Sequence, residues 1–84
     1  MGKYDKLFRK ITSGHSDANI AFDELRKLLL RLNFYERTEG SHHIFTRDDI
    51  EELINLQRDG AKAKPYQVRQ VRDVITQNNL SLEP

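Results

Sequence analysis

Residues 34–56 read FYERTEGSHHIFTRDDIEELINL, and this stretch decides the fold. Phe34 to Thr38 is rich in aromatic and β-branched residues, which suit a pleated, half-buried surface. Glu39-Gly40 predicts a tight turn, because glycine tolerates backbone angles that other residues resist. His43 to Thr46 reads as a second strand, favoured by Ile44, Phe45 and Thr46. The acidic run Asp48 to Glu52 reads as the second turn and the entry to a third strand, Leu53 to Leu56. Three short antiparallel strands in succession are therefore expected.

Helical patterns flank this segment. Upstream, Phe22, Leu25, Leu28, Leu29 and Leu32 recur at three- and four-residue steps and form one apolar stripe. Asn19 is the expected N-cap. Asp23 and Glu24 fall in the first turn and Arg31 near the end, as the helix dipole favours. Asn33 follows and suits the left-handed geometry that ends helices. Further upstream, Tyr4, Leu7, Phe8 and Ile11 predict a short helix, broken by the turn formers Thr12 to Asp17. Downstream, Arg58-Asp59-Gly60 ends the sheet segment, and Pro65 suits the first turn of a last helix. Val68, Val71, Val74 and Ile75 supply its buried stripe, Arg69, Arg72 and Thr76 another face, and Asn78-Asn79 its end. The expected fold is α+β, in the order α-α-β-β-β-α, with a small three-stranded antiparallel sheet packed against helices. Such a sheet leaves its other face free.

Composition bounds the function. The chain has 84 residues, which suits a single domain with little stability in reserve. It has no cysteine, so disulfides and thiolate metal sites are excluded. No apolar run approaches the ~20 residues of a membrane span. The residues after Met1 lead into no apolar core, so no secretory signal is expected and the cytoplasm is the expected compartment. The net charge of +1 does not announce a nucleic-acid binder. From Gly60 onward, however, Lys62, Lys64, Arg69 and Arg72 outweigh Asp73 and Glu83, which allows a local basic surface.

Chemistry concentrates in Gly40-Ser41-His42-His43-Ile44-Phe45. Side chains alternate along a strand, so His43 shares a face with Phe45 and His42 with Ile44. The two histidines point apart and have no acidic or cysteine partner at ligand spacing, so no metal site is expected. Ser41 has no acid–base partner in a recognisable motif and reads as a turn residue able to bond phosphate. His15 falls in a loop. Tyr35 and Tyr66 are of a type that can stack on bases, but packing against the core or an edge is the favoured expectation for both.

The same six residues resemble the glycine-serine-x-histidine signature of the HicA toxin family. The resemblance continues through the helix exit Leu32-Asn33-Phe34, the strand Ile54-Asn55-Leu56, Gly60 and Lys62, the helix positions Val71, Val74 and Ile75, and the tail Asn79-Leu80-Ser81. It covers residues 20–81 and makes residues 1–18 an N-terminal helical extension of a domain spanning 19–84. The resemblance implies a fold like that of double-stranded RNA-binding domains. It further implies a metal- and cofactor-independent endoribonuclease that cleaves mRNA, and a cognate HicB-like antitoxin. Carried over to this chain, the catalytic histidine is His43, two places after Ser41. The chain departs from the family's pattern at Glu39, at Gln57 and Asp59, and at Pro65-Tyr66-Gln67.

The physics suits that role. RNA carries its own nucleophile, the 2′-hydroxyl, and needs a group to take its proton. Histidine titrates near neutral pH and serves as base or acid. Cations stabilise the charge gathering on phosphorus. Ser41, His42, Lys62, Lys64 and Arg69 are the candidate RNA contacts. The departures motivate a second reading, in which the fold persists without catalysis as an RNA- or protein-binding module.

Overall fold

The computed structural model describes residues 2–15, 17–58 and 60–82. Helices α1 (Lys3–Ser13) and α2 (Phe22–Arg31) precede strands β1 (Tyr35–Glu39), β2 (His42–Arg47) and β3 (Ile50–Gln57), and helix α3 (Pro65–Gln77) follows. The sheet is antiparallel in the order β1-β2-β3. This is the α+β order that the sequence predicts. Ser16 and Asp59, in the two expected breaks, lie outside the described residues.

Each helix buries the stripe its sequence sets out. Ile11 of α1, Phe22, Leu25, Leu28 and Leu29 of α2, and Val68, Val71, Val74 and Ile75 of α3 meet in one core. Phe45, Ile54 and Leu56 face it from the sheet. Tyr4, Leu7 and Phe8 pack against the same core, so α1 is docked on the body of the molecule. Gly14 ends α1 at φ 72°, and its amide donates to Ile11 O.

The entry to α2 differs from expectation. The cap position belongs to Ala21, with no side-chain cap, and Asn19 adopts φ 62°. The reason is tertiary. Residues 20–22 run alongside 61–63, with Ala63 N–H donating to Ile20 O at 2.8 Å and Phe22 N–H to Ala61 O at 2.9 Å. A backbone carbonyl thus satisfies the donor that a capping side chain would otherwise take. Asn19 Oδ1 accepts instead from Lys62 Nζ at 2.7 Å. The helix exit follows the sequence reading: Asn33 sits at φ 71°.

The first hairpin turn is displaced by one residue. Glu39 pairs with His42, so the turn residues are Gly40 and Ser41. Gly40 takes φ 61° while Ser41 stays negative, the pattern of a two-residue turn with glycine first. The second turn is Asp48-Asp49, and β3 begins earlier than expected, at Ile50. At α3, Pro65 occupies the first turn, and the buried Gln67 accepts from Lys64 N–H at 3.2 Å while donating to Gln57 O at 3.0 Å. That pair of bonds seats the helix start on the end of β3. Tyr35 and Tyr66 do not pack as expected: they are 66% and 53% exposed. Each lies outside the apolar stripe of its element.

Candidate active site

The β1–β2 register sets the site. Thr38 lies opposite His43, and Glu36 opposite Phe45. By the period of two, Glu36 and His43 occupy the helix-facing side of the sheet, at its rim. His42 points to the opposite side with Ile44.

His43 is therefore a half-buried histidine, its side chain 17% exposed. Its Nδ1 lies 2.8 Å from Glu36 Oε2. The same carboxylate oxygen accepts from Arg26 Nε of α2 at 2.6 Å. Burial alone raises the Glu36 pKa, but the hydrogen bonds from Arg26 and His43 outweigh it and hold the carboxyl below its ordinary value. Phe22 meets the imidazole edge-on, with centroids 5.1 Å apart. Arg58 also stacks on Phe22, its guanidinium 4.5 Å from the ring centroid and paired with Asp23. Among the described residues His43 Nε2 has no protein partner, and Glu24 Oε2 is the buried side-chain polar atom without one. Nε2 is therefore the ring nitrogen that meets solvent.

The other candidates fall into three places. Lys62 pairs with Ala21, the residue before Phe22, and its Nζ donates to Asn19 Oδ1 at 2.7 Å. Ser41 and His42 lie on the hairpin end, where Ser41 Oγ accepts from Gln57 Nε2 at 3.2 Å and His42 Nδ1 lies 3.1 Å from Asn55 Oδ1. A shallow cavity of about 310 Å³ opens there between His42, Asn55, Gln57, Tyr66 and Gln70. Lys64 caps α3 next to this end. Arg69 is elsewhere: it and Arg72 reach Asp17 in the α1–α2 connection, at 3.9 and 2.7 Å. Among the described residues no contact joins Arg69 to His42 or His43. Among the described residues, no group of three or more His, Cys, Asp or Glu side chains is arranged to hold a metal ion.

The family model described as HicA toxin of bacterial toxin–antitoxin matches residues 22–80. The chain belongs to the HicA toxin family. Membership assigns it to the toxin side of a toxin–antitoxin pair and implies a cognate antitoxin. The match takes in α2, the whole sheet and α3, and begins after α1. No curated protein matches the chain, and no solved structure does. No helix among the described residues is long and apolar enough to cross a membrane.

Sequence reasoning missed Glu36, Arg26, Phe22 and Arg58 as neighbours of the candidate residue His43. One signal was available. Phe34 and Glu36 share a face by the period of two, and an acid beside a core phenylalanine requires a cationic or hydrogen-bonding partner. The partner itself lies ten residues upstream, on a helix, and spacing does not reveal it.

Proposed function

We propose that the chain is an endoribonuclease toxin that cleaves mRNA, with His43 as the proton-transfer residue. The observation that carries this reading is His43 itself: a rim histidine with Nδ1 on an ionised carboxylate and Nε2 meeting solvent. In this reading His43 takes the proton of a 2′-hydroxyl. The 2′-oxygen then bonds to phosphorus, the P–O5′ bond breaks, and the departing 5′-oxygen takes up the proton that His43 has acquired, which returns the imidazole to its neutral form. The product ends are a 2′,3′-cyclic phosphate and a 5′-hydroxyl. No metal or cofactor is required for that displacement. Positioned proton transfer is worth about 10²–10⁴-fold in rate.

In this reading Lys62, paired with Ala21, and Arg58, stacked on Phe22, supply cations for the reacting phosphate. Ser41, His42 and Lys64 at the hairpin end extend the RNA track. Arg69, tied to Asp17, contributes to that track least. Residues 19–84 form the catalytic domain, with residues 1–18 as an appended helix. A HicB-like antitoxin inhibits by covering the His43 rim.

Induced expression tests the reading. The natural chain is expected to arrest growth and His43→Ala is not, with both folded by circular dichroism. Arrest by a folded His43→Ala chain removes His43 from the mechanism. Harmless expression of the natural chain favours the binding module. The observation on that side is that Lys62, Arg58 and Arg69 already have protein partners.

A further inference from the structure

Glu36 and His43 sit on adjacent strands of a regular antiparallel pair, so their contact is set by backbone register. Glu36 Oε2 lies 2.8 Å from His43 Nδ1 and 2.6 Å from Arg26 Nε. An ionised carboxylate offers acceptors only, so the hydrogen between Glu36 and His43 belongs to Nδ1. Which imidazole nitrogen carries the proton is set by the bond the other makes. Arg26 stays protonated at all ordinary pH values and presents Nε to the same oxygen, which keeps the acceptor both charged and aimed. Phe22, edge-on to the ring, limits its rotation. The charged groups that meet the imidazole are thus Glu36 from β1 and, behind it, Arg26 from α2.

We infer that Glu36, anchored by Arg26, is a positioning residue that holds neutral His43 as the Nδ1–H tautomer and keeps the Nε2 lone pair at the surface. The inference deepens the ribonuclease reading and rests on it for its consequence. Only that tautomer offers a 2′-hydroxyl a lone pair at the exposed nitrogen; the other offers an N–H, which cannot take a proton.

The tautomer is read directly from two-bond ¹H–¹⁵N correlation spectra of the full-length, ¹⁵N-histidine-labelled chain, at a pH where the ring is neutral. His43 is assigned by its loss in His43→Ala. The natural chain is expected to show a protonated Nδ1 and an unprotonated Nε2. Glu36→Ala is expected to shift the proton largely to Nε2, and Arg26→Ala to leave it mainly on Nδ1. An Nε2–H ring in the natural chain overturns the inference, whether or not the Glu36 variant folds. So does an unchanged Nδ1–H ring in a folded Glu36→Ala chain. Where the natural chain cleaves RNA, Glu36→Ala is expected to lower kcat by about 10²–10⁴-fold with little change in KM. A tautomer that responds as expected in a chain that cleaves nothing leaves Glu36 as the positioning residue and removes the ribonuclease reading instead.

Discussion

Arg47 shows how much one side chain can hold at this size. It closes the β2–β3 turn by a two-pronged contact to Asp49, with Nε and Nη2 each 2.8 Å from a carboxylate oxygen. Its third nitrogen, Nη1, donates to Leu32 O at 2.7 Å and so covers a carbonyl at the exit of α2. The Asp49 contact alone is exposed and worth little. The carbonyl contact is part-buried, and losing it strands an acceptor. Arg47→Ala is expected to cost about 1–3 kcal/mol in urea unfolding with an unchanged m-value. Arg47→Lys should recover less than half of this, because an ammonium cannot serve both sites at once. A loss below the error of the urea fit would show that the α2 exit does not depend on this residue. The sequence marks Arg47 only as one charge in an acidic neighbourhood.

At the scale of elements, the hairpin that carries both histidines depends on Gly40. A Cβ placed there meets nothing within 4 Å, so any cost of substitution is conformational. At φ 61° that cost is about 1–2 kcal/mol for alanine, and less for asparagine, which tolerates left-handed angles. Thermal melts of Gly40→Ala and Gly40→Asn should rank in that order; equal melting temperatures would mean that the turn relaxes to another type. Helix α1 gives the second test at this scale. It lies outside the family match at residues 22–80, yet its Ile11 is fully buried among residues of the core. Ile11→Ala is expected to cost about 2–5 kcal/mol, as for other buried aliphatic truncations. A loss under about 1 kcal/mol, well short of the cost of a core truncation, would make α1 an ornament on a domain that is stable without it.

For the whole molecule, acid is the informative perturbation. Glu36 is held low by Arg26 and His43 against its burial, Asp23 by the hydrogen bond from Arg58, and Asp49 by that from Arg47. A carboxyl whose folded pKa lies below its unfolded one stabilises the fold fully above the unfolded value. That contribution is lost as pH falls through the folded value. The melting temperature should therefore hold from neutral pH down to about 5 and fall steadily toward about 3. In Glu36→Gln the neutral-pH stability should drop and the acid slope become shallower. A slope parallel to that of the natural chain would show that Glu36 is not held low.

The sequence by itself determined which elements form and in what order. Apolar stripes at helical and strand periods act within one element, so Phe22 to Leu32 and Val68 to Ile75 declare their buried faces locally. It also marked the hairpin histidines, because their alternation follows from the chain alone. Only the tertiary structure decided what each histidine meets. The strand register put Glu36 on the face of His43, and the packing of α2 brought Arg26 and Phe22 to them. The pairing of residues 20–22 with 61–63 likewise replaced Asn19 as the cap of α2 and turned it toward Lys62. These are contacts between segments far apart in sequence. Local propensity carries no record of them, and they form only where burying the shared core fixes one element against another.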